Sequence, residues 1–244
     1  MPQGSVWENE YQNPQLITKD DEPQKDILRF FRFLKKEEGV ELENLAVLDL
    51  GSGTGRNANY LAKLGNKVIG LEISPTAINL AKSRAKSIKI EVNYQLHDIG
   101  SEYPFNNETF DLVLDVTSSN SLNGKERDIY LSEVLRVLKK DGILVIRTPI
   151  LYNGFYDDFT HVKPYHPKAL LHYLTTYEKS EQTTLTPIKG KFKVLKLKYR
   201  KAPLFLGILD TPLFFIFPLF NLLYRFGISS LKKTGYMIIL KKIE

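Results

Sequence analysis

The chain contains no cysteine, so its 244 residues carry no disulfide, thiolate nucleophile or thiolate metal site. Histidine is scarce as well, at four. Asp157, Asp158, His161 and His166 stand near one another in the chain, yet no His-Glu-x-x-His or other diagnostic ligand spacing occurs. No metal is expected. The most apolar stretch has an uncharged run of only fourteen residues, Thr211 to Tyr224. That is short of the roughly twenty a bilayer-spanning helix needs, and Pro212 and Pro218 interrupt it. Residues 1–26 are polar and mixed in charge, unlike a secretory leader, and a cytoplasmic protein is expected. No repeat is visible beyond an alternation of strands and helices.

That alternation is what the chain does have. An apolar run, Val47 to Leu50, enters Gly51-Ser52-Gly53-Thr54-Gly55-Arg56-Asn57, and Ala58 to Gly65 then reads as a helix. Glycines allow sharp turning and close backbone approach, and a helix N-terminus offers unpaired N–H groups to a polar ligand. The stretch therefore predicts a site for a nucleoside-containing cofactor. The spacing is Gly-x-Gly-x-Gly, one residue shorter than the Gly-x-Gly-x-x-Gly that seats a pyrophosphate. Asp49 precedes it, and a carboxylate there repels a pyrophosphate while suiting an ammonium or sulfonium.

Downstream segments keep the same order. Lys67 to Glu72 is a second strand ending in an acid, twenty-one residues after Gly51, as in a βαβ unit whose acid accepts ribose hydroxyls. Ser74-Pro75 opens a helix, Thr76 to Lys86. Ile90 to Leu96 is a third strand followed by His97-Asp98-Ile99, and Phe110 to Asp115 a fourth. Arg127 to Leu138 supplies a helix, and Asp141-Gly142 opens a fifth strand, Ile143 to Arg147. Phe192 to Tyr199 and Tyr236 to Lys242 read as two more strands. With these motifs the chain resembles the class I S-adenosylmethionine-dependent methyltransferases, from Ala46 to the C-terminus, although only the first half carries specific motifs.

The resemblance implies a single α/β domain. It would be a three-layer sandwich around a seven-stranded, mostly parallel sheet that ends in an antiparallel strand pair, with helices on both faces. Residues 1–45 would form an N-terminal lid and helix, 46–150 the cofactor-binding half, and 151–244 the substrate half with an apolar insert at 202–231. The implied cofactor is S-adenosylmethionine, with Asp49, Gly51, Ser52, Gly53, Gly55, Asn57, Glu72, Ile73, Asp98, Ile99 and Asp115 as binding candidates.

Acceptor chemistry is less visible. Methyl transfer needs an aligned nucleophile and a group to take its proton. Candidates follow strands four and five, where open sheets place ligands. Imidazole titrates near neutrality in water, which makes His161 the first candidate base, with Asp115 beside it. Ser118, Asn120 and Tyr156 are candidates for acceptor contact. Trp7 and Tyr11, ahead of an apolar-faced helix from Lys25 to Lys36, are candidates to close the site as a lid. The acceptor is expected to be an oxygen or nitrogen of a small molecule or glycolipid. RNA or protein is the alternative, weakened because Asp115-Val116-Thr117-Ser118 stands where an Asn-Pro-Pro-Tyr-type tetrapeptide would mark methylation of planar amino groups. An NAD- or nucleotide-sugar-linked enzyme is disfavoured by the glycine spacing. Residues 161–244 hold 15 Lys and Arg against 4 Asp and Glu, a balance that suits an anionic partner or a solvated strand. The apolar residues 203–224 leave three readings open: a cap over the pocket, a peripheral membrane anchor, or a dimer contact.

Overall fold

A computed structural model describes residues 2–13, 21–151, 155–157, 161–175, 192–203 and 231–243. Apolar β-forming runs give seven strands: β1 Ala46–Leu50, β2 Lys67–Glu72, β3 Asn93–Leu96, β4 Phe110–Val116, β5 Leu138–Pro149, β6 Phe192–Pro203 and β7 Leu231–Lys242. The helices are α1 Pro2–Gln12, α2 Lys25–Glu37, α3 Arg56–Lys63, α4 Pro75–Ser87, α5 Gly124–Val137 and α6 Pro167–Leu174. One sheet holds all seven strands in the order β3-β2-β1-β4-β5-β7-β6. It is parallel from β3 to β5, and β7 pairs antiparallel with both β5 and β6. The expected sandwich is the observed one.

Two apolar layers sandwich the sheet, which is why its central strands are buried on both faces. Ile27, Phe30, Phe31 and Leu34 of α2 recur at helical spacing and pack with Leu61 and Ile78 against Val47, Leu112 and Val145. Tyr130, Leu131 and Val134 of α5 and Leu170 and Leu174 of α6 cover Leu48, Leu50, Val113 and Ile146 on the other face. Local caps set the helix starts. Ser74 accepts a bond from the Ala77 N–H beside Pro75, and Asn123 with Glu126 forms a capping box. That box starts α5 three residues before the expected Arg127.

Other boundaries shift for local reasons. The strand expected from Ile90 starts at Asn93, because Lys89 turns with φ +57° and the Ile90 N–H closes back onto the Ala85 carbonyl. Asp141-Gly142 does not open β5 but lies inside it; Asp141 has φ +64° and the register with β4 shifts between Phe110 and Leu112. Residues 202, 203 and 231, expected in the apolar insert, belong to the β6–β7 ladder. Residues 204–230 lie outside the described set, and with them the three readings of 203–224. Among the described residues no helix is long and apolar enough to cross a membrane.

The chain runs from β1 outward to β3, then returns to β4 on the other side of β1. This reversal leaves a crevice at the carboxyl ends of β1 and β4, the place where open α/β sheets bind ligands. Asn66 braces the opposite, amino end of β1 and β2: its Nδ2 donates to the Leu42 and Leu61 carbonyls at 2.9 and 2.8 Å, and its Oδ1 accepts from the Leu45 N–H at 3.0 Å. Asn66→Ala removes all three bonds and leaves the Leu42 carbonyl and the Leu45 N–H without this partner, and is expected to lower the unfolding free energy by about 2–4 kcal/mol. Urea titration checks this, with the midpoint falling at an unchanged slope.

Candidate functional site

The loop after β1 forms the floor of the crevice, and each of its glycines has φ above zero. Their reasons differ. A Cβ on Gly51 would lie 2.3 Å from the Ser118 Cβ, so this glycine lets the loops after β1 and β4 meet. A Cβ on Gly55 would lie 2.3 Å from the Tyr94 hydroxyl, so its role is to pack α3 against β3. Gly51 and Gly53 both line the cavity, and a Cβ on Gly53 would meet the Tyr11 hydroxyl at 2.7 Å.

A cavity of about 380 Å³ rises from this floor. At one end stand Glu72, Ile73, Asp98 and Ile99, brought together by the parallel register of β2 and β3. Glu72 is buried and accepts the Ile73 and Ser74 N–H groups on Oε1 and the Gly53 N–H on Oε2, at 2.8–2.9 Å. Three of its roughly four lone-pair sites are therefore taken, and one on Oε2 is left for a ligand. Burial pushes this carboxyl upward, against the pull of those N–H donors. Asp98 accepts the Gly100 N–H at 2.8 Å. Ser52 and Asn57 complete this end, and the Ser52 hydroxyl is buried without a partner.

The opposite wall is built after β4. Asp115 is fully buried: its Oδ1 takes the Ser118 hydroxyl at 2.6 Å and the Ser118 and Ser119 N–H groups at 3.2 Å, while Oδ2 takes the Tyr130 hydroxyl at 2.8 Å. These bonds stiffen the turn that carries Ser118 and Asn120 onto the cavity wall. Asn120 in turn positions the next segment, because its carbonyl accepts the Val162 and Lys163 N–H groups at 3.1 and 3.3 Å. Tyr165 adds a bond to the Ser119 carbonyl at 3.2 Å, with Arg127 4.0 Å over its ring. His161 is thereby held on the cavity wall, stacked 4.6 Å from the Phe155 ring. Its Nδ1 lies 2.9 Å from the Phe155 carbonyl. A carbonyl only accepts, so Nδ1 donates its proton in that bond.

Residues 2–12, expected only as a polar segment, form a helix because tertiary bonds dock it. Glu8 takes the Ser74 and Thr76 hydroxyls at 2.5 and 2.6 Å and the Thr76 N–H at 3.2 Å. Those hydroxyl bonds hold the Glu8 carboxyl at about 2. The docking brings Trp7 and Tyr11 onto the cavity wall, with ring centroids 6.1 Å apart.

Four sequence candidates do not stand on the wall. Asp115 is consumed by the bonds above. Gly55 faces Tyr94. Asp49 lies beneath the loop, 1% exposed. Tyr156 points outward, 62% exposed. Asp158 lies outside the described residues. Conversely, Gln24, Arg147 and Arg200 line the cavity, and none of them was a candidate from sequence. The alternation along β5 put Arg147 on the same face as Ile143 and Val145, a cue that an acid had to meet it.

The profile of a family described as "Methyltransferase domain" matches residues 47–142. An uncharacterized methyltransferase of Schizosaccharomyces pombe is 34% identical over 101 residues, covering 41% of this chain and 69% of that protein. The ubiquinone biosynthesis O-methyltransferase of Pelagibacter ubique is 28% identical over 124 residues, 51% of this chain and 49% of that one. The chain thus spans about half the length of that relative. A solved S-adenosylmethionine-dependent methyltransferase from Archaeoglobus fulgidus shares the fold at a TM-score of 0.57 and 20% identity, over 98% of this chain and 99% of that one.

Asp49 makes the floor sensitive to pH. Burial pushes its carboxyl up to about 7, opposed by the Ala58 N–H and reinforced by Asp115 and Glu72. Between about pH 4 and 7 the folded chain keeps a proton that the unfolded chain releases, so this group's contribution makes unfolding easier as pH rises through that window. Asp49→Asn is expected to remove that loss. Urea midpoints at pH 5 and pH 8 should differ less in the variant, with its gain over the parent confined to the higher pH.

Proposed function

The chain belongs to the class I S-adenosylmethionine-dependent methyltransferases, and we propose that it moves the methyl group of that cofactor to an oxygen or nitrogen of a small molecule. The observation that carries this reading is one continuous cavity joining Glu72, Asp98 and the glycine floor to His161. The residues fit the cofactor. Its ammonium and sulfonium charges suit an acidic end, Glu72 retains a lone pair for a ribose hydroxyl, and the unpartnered Ser52 hydroxyl awaits a polar ligand. Bound there, the cofactor supplies an electrophilic methyl group.

The chain's own residues do the rest. Asp98 and Ile99 present a polar and an apolar edge to the adenine. Ser118 and Asn120 position the acceptor, and the Nε2 of His161 takes the proton from a hydroxyl that must lose one. Trp7 and Tyr11 cover the cavity and exclude water, held there by the Glu8 clasp. Asp115 serves by fixing Ser118 and Asn120 rather than by touching a ligand. The name of the Pelagibacter ubique relative favours an oxygen acceptor of small size. A lipid-borne acceptor, with residues 203–224 against the membrane surface, is the variant of this reading that the apolar sequence supports.

Incubation with methyl-labelled S-adenosylmethionine and a fractionated cell extract tests the proposal. Label is expected in a small-molecule fraction, and label in the lipid fraction supports the membrane-surface variant. Label only in RNA or protein contradicts it. With an acceptor in hand, His161→Ala is expected to lower kcat by about a hundredfold with little change in donor affinity.

A further inference from the structure

The wall of the cavity farthest from Glu72 carries a buried positive charge. Arg147 lies on β5 between Val116 of β4 and Met237 of β7, on the face that also carries Ile143 and Val145. It is 4% exposed, yet lines the cavity. Its Nε donates to Asp26 Oδ2 at 2.9 Å, and its two η nitrogens have no partner among the described residues. Arg200 of β6 also lines the cavity and shares the same carboxylate oxygen at 3.6 Å. Two guanidiniums therefore converge on one carboxylate. Burial alone would raise Asp26, but Arg147 and Arg200 hold it below the ordinary range, so it is ionised. A buried guanidinium with one partner costs stability that an apolar side chain of similar volume would not.

Two further groups point to a missing polar ligand nearby. Asn120 is 1% exposed, and its Oδ1 has no partner; the buried Oε1 of Gln24, which precedes α2, has none either. Both residues line the cavity. The charges are also separated by sign. Glu72 and Asp98 stand at the β2–β3 end, whereas Arg147 and Arg200 stand past β4. Three strand spacings separate β2 from β5, roughly 14 Å at ~4.8 Å each, enough to seat two ligands side by side. Arg56 at the start of α3, His97 after β3 and Glu126 in the first turn of α5 also stand on the wall, as does His161 after β5.

We propose that Arg147, flanked by Arg200, grips an anionic oxyanion group of the methyl acceptor, so that this enzyme takes acidic small molecules in preference to neutral ones. The proposal rests on the methyl-transfer reading above and names its substrate class. The free η nitrogens of Arg147 form the planar fork that matches a carboxylate or phosphate. Asp26 holds the fork in place from behind through Nε, leaving the η nitrogens of Arg147 to face a ligand. An acidic acceptor would then be drawn to one pole while the cationic donor is drawn to the other, which also opposes binding of either in the wrong place.

Calorimetry on the full chain saturated with S-adenosylhomocysteine tests this with two probe pairs: 3,4-dihydroxybenzoate against its methyl ester, and phenyl phosphate against phenol. At least one acid is expected to bind tenfold or more tightly than its neutral counterpart, with affinity falling as salt rises. Arg147→Gln should abolish that preference, Arg147→Lys should restore part of it, and Arg200→Gln, at a half-exposed position, should narrow it. None should change S-adenosylhomocysteine affinity by more than about twofold. A purely structural role for Arg147 would lower the melting temperature of its variants and leave the acid preference intact. Equal binding of acid and neutral probes, an acid preference that survives Arg147→Gln, or no binding of any probe overturns the proposal. Failure of S-adenosylhomocysteine itself to bind overturns the methyl-transfer reading instead.

Discussion

The loops after β1 and β4 meet so closely that residue 51 has no room for a side chain. Much of the site hangs on that contact. The Ser118 hydroxyl lies 2.7 Å from the Leu50 carbonyl on one strand and 2.6 Å from Asp115 on the next, tying the two loops across the switch point. Asp115 spends the bonds it makes on the turn that comes after it and on the Tyr130 hydroxyl. The stiffened turn presents the Asn120 carbonyl, which fixes residues 162 and 163 and so delivers His161 to the cavity. A β-branched or larger residue at 51 would therefore disturb both the donor floor and the position of the candidate base.

The fold was legible because the central strands are mostly apolar and α4, α5 and α6 begin at a side-chain cap or a proline. The acidic pole was legible for a related reason: Glu72 and Asp98 sit at strand ends, and strand ends meet at the crevice in any doubly wound sheet. Asp49 and Asp115 have the same sequence signature but face down into the fold, and only the bonds around them distinguish an acid turned into the interior from one that lines the cavity. The sharp turn and close approach at the glycines were readable, but the neighbours that crowd Gly51 and Gly55, Ser118 and Tyr94, come from distant parts of the chain.

What stayed illegible depends on contacts far apart in the chain. Arg147 meets Asp26 across 121 positions, and Glu8 reaches Ser74 across 66. Helix α1 has no strong apolar stripe, so nothing local announces it; hydrogen bonds to the start of α4 create it. The basic pole is a further case. Arg147 and Arg200 read as ordinary strand residues until the β5–β7–β6 register places both beside the N-terminus of α2.

One cavity carries two poles, and the acidic one suits a nucleoside that carries positive charge. Titration calorimetry of the purified chain with S-adenosylmethionine and with NAD tests that claim most directly. Micromolar binding of S-adenosylmethionine, with no heat from NAD, is the predicted result. Binding of NAD in its place, with no heat from S-adenosylmethionine, would contradict the assignment of the acidic pole and everything built upon it.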